Sequence, residues 1–174
     1  SRPDLAYAFK EVARHGHCNG PIHMAAVKRI LRHLKATRDY ELILRGADCM
    51  ANLSFEAWSD ASYAEDTVAR KSTSGIVLTI NGSVFHAESV TQRNTACSSC
   101  EAELYAAYTS GTWIYHFRAI LGFLEVPGLH RPTRLYIDSR SAQDMLKRDT
   151  PSRRTKHVDV RFWKLQQLIS DGQL

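Results

Sequence analysis

Apolar and polar positions follow two different periods along this chain, and the change comes near Tyr40. Before it the spacing is helical. Residues 4–16 and 21–36 predict two helices, and in the second Ile22, Ala25, Ala26, Arg29, Ile30 and Leu34 recur on one side. Asn19-Gly20-Pro21 separates them, with Pro21 suited to a first helical turn. Beyond Tyr40 the period becomes that of strands. Glu41–Leu44 and Leu53–Asp60 predict extended segments. Thr73–Ile80 and Val84–Val90 flank Asn81-Gly82, a strong hairpin signal. Ser98 to about Leu121 predicts a long helix carrying Leu104, Ala107, Tyr108, Gly111 and Tyr115 along one side. A short strand follows at Thr133–Asp138, then a helix near Ser141–Arg148. A last amphipathic helix at Val158–Ile169 has Phe162, Leu165, Leu168 and Ile169 as its stripe. The order after the helical hairpin is β-β-β-α-β-α-α, an α/β chain with a mixed sheet and flanking helices.

Charge sharpens this picture. The chain of 174 residues carries a formal +5. Residues 1–46 hold +5, residues 47–146 hold −4 and residues 147–174 hold +4, so an acidic middle lies between two basic ends. That pattern fits carboxylates that hold metal between surfaces that hold phosphate, and it fits equally well with basic helix faces turned to solvent. No apolar run is long enough to predict a membrane span. The start, Ser1-Arg2-Pro3-Asp4, lacks an initiator Met and a signal-peptide pattern, which suggests a piece of a longer polypeptide. Four cysteines do not make a disulfide scaffold, so an intracellular, reducing compartment is expected.

Three carboxylates sit where chemistry is possible. Asp60 and Asp138 end predicted strands, and Glu103 lies in the first turns of the long helix. Alternation puts Asp60 on the face of Trp58 and Glu56. Ser98-Ser99-Cys100-Glu101 reads as a capping box, which gives Glu101 a structural task. Glu103 lies about 200° further round the helix and is free for another. If the helix crosses the strand ends, the three acids converge, and oxygen ligands on rigid elements suit Mg²⁺. An Asp at a strand end is also a common turn former or cap. The tryptophans Trp58, Trp113 and Trp163 read as core packing. Cys97 and Cys100 read as small, mostly buried side chains, and His15, His17 and His23 as surface groups.

Five ordered blocks carry a family resemblance. They are Ser59-Asp60-Ala61-Ser62-Tyr63, Arg70-Lys71-Ser72-Thr73-Ser74-Gly75, Ser98 to Tyr105, Tyr136-Ile137-Asp138-Ser139-Arg140-Ser141, and Arg154-Thr155-Lys156-His157-Val158-Asp159-Val160-Arg161. Together they resemble the ribonuclease H region of copia-type LTR retrotransposon Pol polyproteins. Residues 1–45 resemble the helical connector from the reverse transcriptase side, and residues 46–174 the ribonuclease H-like domain. The resemblance implies a ribonuclease H fold with a five-stranded mixed sheet. It also implies Mg²⁺-dependent endonuclease action, with two ions, on the RNA strand of an RNA–DNA hybrid. Asp60, Glu103 and Asp138 match the catalytic, metal-holding carboxylates.

Two departures qualify that match. The family's fourth Asp, after a fifth strand, has no counterpart before Leu174, so the domain is expected to lack its last strand and helix. Asp159 is a helix-start residue rather than a substitute. The segment Phe85-His86-Ala87-Glu88-Ser89-Val90-Thr91-Gln92 has Glu88, Val90 and Thr91 where relatives often carry Lys, which weakens phosphate contacts on that edge. Backbone tracking of nucleic acid is expected from Lys147, Arg148, Arg153, Arg154 and Lys156, with Arg70 and Lys71. Two functions therefore stand side by side. One is a hybrid-specific ribonuclease. The other is a domesticated, catalytically inactive RNA-binding or scaffold subunit of a ribonucleoprotein assembly. In either case RNA or a hybrid is the expected partner, and the rest of a polyprotein or complex would supply the missing strand.

Overall fold

The computed structural model describes residues 2–45, 53–147 and 159–174. It is an α/β structure. A short 3₁₀ turn at Pro3–Leu5 leads into α1 (Ala6–Ala13) and α2 (Pro21–Ala36). Strands β1 (Phe55–Ser62), β2 (Thr73–Ile80) and β3 (Ser83–Thr91) follow, then α3 (Ser99–Phe123), β4 (Arg134–Ile137), α4 (Arg140–Leu146) and α5 (Asp159–Ser170). The described strands form one mixed sheet in the order β3-β2-β1-β4. β1–β2 and β2–β3 are antiparallel, and β4 joins β1 in parallel. No helix among the described residues is long and apolar enough to cross a membrane.

The hairpin between β2 and β3 follows from Asn81-Gly82. Both residues take positive φ, 51° and 71°, which a two-residue turn of this hand requires. Asn81 also ties the turn to β1, its backbone N–H donating to the Ser54 carbonyl at 2.8 Å.

One face of the sheet is covered by α3. Phe55, Ala57, Ile76 and Leu78 pack there against Ile114, all buried. Each large side chain of this set contributes about 1.5–3 kcal/mol by leaving water. The buried side of α3 is rich in small residues, Ala102, Ala106, Ala107 and Ser110, which lets it pack closely, and Gly111 does the same where α3 meets α5. Its start is fixed by Ser98, whose hydroxyl accepts from the Glu101 N–H at 3.1 Å. Only half of the expected capping box forms. The Glu101 carboxylate turns instead to the Cys97 N–H at 2.7 Å and the Tyr105 hydroxyl at 2.6 Å. On its far side α3 meets α5, where Phe162, Leu165 and Leu168 are buried and Ile169 is not.

α1 lies against the sheet's other side at β3 and reaches the loop after β1. Tyr7 donates to Glu65, Lys10 to Thr73, and Arg14 pairs with Asp66. α2 buries none of its side chains; Ile22 and Leu31 are exposed.

Several expectations are corrected. The first helix is shorter than 4–16, because Pro3–Leu5 is 3₁₀ and the chain turns after Ala13. Glu41–Leu44 is not a strand. It has no partner strand among the described residues, and Leu42, Ile43 and Leu44 stay exposed. Trp58 and Trp163 are not core residues; they are 39% and 49% exposed. Trp58 lies on the sheet face away from α3, where no helix of the described residues covers β1 and β4. Cys97 is exposed and only Cys100 is half-buried, beside Met145. Tyr115 is likewise exposed, its place against the sheet taken by Ile114.

Candidate metal centre

The register of β1 with β4 builds the site. Glu56 lies beside Arg134, Trp58 beside Tyr136 and Ser59 beside Ile137. Because the strands are parallel, that register carries Asp138, just past the end of β4, up beside Asp60, which lies two residues before the end of β1. Alternation puts them on the same side as the Trp58 and Tyr136 rings, which stack at 5.1 Å with an interplanar angle of 17°. The aromatic pair therefore leads along the open sheet face to the acidic pair. That face is a groove of about 840 Å³ containing Trp58, Tyr136, Asp60 and Asp138, with Tyr7 of α1 on its far wall. The sequence carried a signal for this: each aromatic stands two residues before its Asp.

Glu103 enters from the opposite layer. It lies near the start of α3, which crosses the sheet at the end of β1, and one of its oxygens accepts from the Ala61 N–H at 3.3 Å. Its other oxygen is buried without a hydrogen-bond partner. One ligand oxygen from each of Asp60, Glu103 and Asp138 comes within 4.8 Å of the others. Burial, reinforced by the neighbouring Asp138 and Asp60, raises the Glu103 carboxyl to about 7. Glu103 is buried, whereas Asp60 and Asp138 are exposed, so the cluster is open to solvent on one side.

Such a set can hold a metal ion. The donors are hard oxygens on rigid elements, and one is an orphaned buried carboxylate oxygen. A divalent cation would offset both their repulsion and the desolvation of Glu103. The residues present therefore fit an oxygen-preferring ion.

The basic residues expected to track a backbone fall differently. Arg70 and Lys71 lie in the loop that leaves the sheet at the Asp60 end of β1, between Ser62 and Thr73. Lys147 caps the end of α4 and is exposed. None of the three makes an ion pair with the carboxylates among the described residues. Arg148, Arg153, Arg154 and Lys156 lie outside the described residues. Of the histidines, His15 and His23 stack on each other at 4.1 Å, and the His23 ring accepts from the Gly20 N–H at the start of α2.

The fold and site thus define an α/β protein with a three-carboxylate centre able to hold a metal. Over its full length the chain is 35% identical to part of the Retrovirus-related Pol polyprotein from transposon TNT 1-94 of Nicotiana tabacum. It is 28% identical to part of the Retrovirus-related Pol polyprotein from transposon RE2 of Arabidopsis thaliana. It spans only about an eighth of those polyproteins, 13% and 12% of their lengths. It is also 37% identical over 112 residues to the Secreted RxLR effector protein 161 of Plasmopara viticola, covering 64% of this chain and 76% of that protein. No protein-family model matches the chain. Along its whole length the chain is homologous to a segment of retrovirus-related transposon Pol polyproteins.

Proposed function

We propose that this chain is the ribonuclease H part of a transposon Pol polyprotein: a Mg²⁺-dependent endonuclease that cleaves the RNA strand of RNA–DNA hybrids. In this reading residues 1–45 are the connector from the reverse transcriptase side and residues 46–174 the nuclease domain. One observation carries it. The Asp60, Glu103 and Asp138 oxygens lie within 4.8 Å of one another at the mouth of an open groove. Asp60, Glu103 and Asp138 would hold the ion. Bound Mg²⁺ supplies an activated water and charge neutralisation for phosphodiester hydrolysis.

The chain's own residues do the rest. Ala61 holds Glu103 in place through its backbone N–H. Asp60 and Asp138, exposed, leave room for a phosphodiester to approach. Arg70 and Lys71, on the loop at the same end of the sheet, would meet the backbone phosphates and fix register without reading sequence. The Trp58–Tyr136 stack offers a flat apolar wall beside the acids.

A second reading is a catalytically inactive RNA-binding or scaffold subunit. It is favoured by Glu88 on β3. This acid receives the Trp113 indole N–H at 2.7 Å, in a strand that itself carries basic residues in the nuclease relatives the chain resembles. A labelled RNA–DNA hybrid incubated with Mg²⁺ and the chain, beside the Asp60→Asn variant, separates the two. Cleavage by the parent alone supports the nuclease. Hybrid binding without Mg²⁺-dependent cleavage by either supports the scaffold.

A further inference from the structure

A second cavity, of about 420 Å³, lies on the α3 side of the sheet, between β3, α3 and the start of α5. That is within the range of small-ligand sites. Its two ends have different chemistry. At one end Arg161 of α5 lies over the Tyr105 ring, with its guanidinium carbon 4.5 Å from the ring centre and 5.7 Å from that of Tyr108. Stacking fixes the plane of the guanidinium and leaves its N–H edge free to donate. Arg161 makes no ion pair among the described residues, and neither does Arg93, an exposed residue that also lines the cavity. Two unneutralised guanidinium groups in one concavity call for an anion with several oxygens.

At the other end stand Trp113 and Glu88. The Trp113 N–H donates to Glu88 Oε2, and Glu88 Oε1 makes no hydrogen bond among the described residues. A carboxylate with one free oxygen beside an indole suits a flat, partly apolar group that bears an N–H donor. Tyr105 and Trp113 are two turns apart on α3, so the ends are separated by about 12 Å. That is about the span from the phosphate to the base edge of one nucleotide. Glu88 also explains itself here: a group that weakens phosphate binding along β3 becomes a base-reading group.

The geometry points to a nucleotide subsite in this cavity: a phosphate on Arg161 and Arg93, and an amino-bearing base against Trp113, Tyr108 and Glu88. A cytosine or adenine amine donates to a carboxylate, whereas uracil presents a carbonyl there that Glu88 repels. The subsite uses none of the three metal-site carboxylates, so it stands independently of the nuclease reading. The shared chemistry, a nucleoside phosphate, can come from a strand or from a free nucleotide.

The test is titration of ¹⁵N-labelled protein with CMP, UMP, inorganic phosphate and a short oligocytidine RNA. The Trp113 indole and Arg161 side-chain resonances report binding. CMP is expected to shift both, phosphate to shift Arg161 alone, and UMP to bind about fivefold or more weakly. Arg161→Ala should weaken CMP about tenfold with an unchanged unfolding midpoint. Glu88→Gln, which keeps an acceptor for Trp113, should bring CMP and UMP level. Oligocytidine that binds tighter than CMP and displaces it marks a strand site; CMP binding that the oligomer does not displace marks a free-nucleotide site. Asp60→Asn should leave CMP binding unchanged whatever the outcome of hybrid cleavage. The inference is overturned if millimolar CMP moves neither resonance, if CMP and UMP bind alike to the parent, or if Arg161→Ala binds CMP undiminished.

Discussion

Replacing Glu103 with glutamine separates the cost of the carboxylate cluster from its use. The unfolded chain's carboxyl titrates near 4.5, and in the folded protein burial, with Asp138 and Asp60 close by, raises Glu103 to about 7. Below 4.5 the group is protonated in both states and contributes no pH dependence. Between 4.5 and about 7 the native state alone holds the proton, so stability falls as pH rises. Above that both states are ionised and the whole penalty is present. At about 1.4 kcal/mol per pH unit, the gap corresponds to on the order of 3 kcal/mol. Solvent and salt around the exposed Asp60 and Asp138 reduce what is observed to about 1–3 kcal/mol. Glutamine keeps an oxygen for the Ala61 N–H and loses the charge. Glu103→Gln is therefore expected to be more stable than the parent by that amount at about pH 8, and nearly equal to it at about pH 4.5. Mg²⁺ should narrow or reverse the ranking: at tenfold excess over its Kd the parent gains about 1.4 kcal/mol, and the variant loses most of that gain. Urea unfolding followed by tryptophan fluorescence, at both pH values and with and without Mg²⁺, measures all of this. A variant less stable than the parent at the higher pH without Mg²⁺, or a parent indifferent to Mg²⁺, would refute the reasoning.

Two other substitutions test the frame around the site. Gly111→Ala puts a Cβ 2.9 Å from a Leu165 methyl and 3.3 Å from a Leu168 methyl, so these two buried side chains must shift within the α3–α5 contact; a loss of about 1–3 kcal/mol in urea unfolding is expected. Unchanged stability would show that the helix contact is loose. Arg118 donates to the Leu129 and Arg131 carbonyls, the Thr133 hydroxyl and the Gln173 amide oxygen, which ties α3 to the segment entering β4. Arg118→Met leaves those acceptors without their donor and should cost about 2–4 kcal/mol, with faster hydrogen exchange at Thr133, whose N–H bonds to Gln173.

Local chemistry announced some of this structure and hid the rest. Asn81-Gly82 gave the hairpin, and Ser98 the start of α3, because turn and cap geometry depend on a few adjacent residues. Glu103 was separated from Glu101 by angle alone, and only Glu103 joins Asp60 and Asp138. What local pattern could not give were the long-range pairings. β1 runs on to Ser62 because Thr73 of β2 pairs with it. Glu41–Leu44 has the composition of a strand but no neighbouring strand to bond among the described residues. Trp58 reads as a core residue until the sheet's second face is seen to lie open beside Tyr136. The Arg161–Tyr105 stack joins residues 56 positions apart, and no spacing rule finds it.

The central claim is that Asp60, Glu103 and Asp138 form a metal-dependent nuclease centre acting on RNA in a hybrid. Its most direct test uses hybrids labelled on either strand and a Mg²⁺ titration, with Asp60→Asn alongside. The account predicts cleavage of the RNA strand alone, rising with Mg²⁺ and abolished in Asp60→Asn while hybrid binding persists. Equal cleavage by the parent and Asp60→Asn, or none by the parent at any Mg²⁺ concentration, would contradict it.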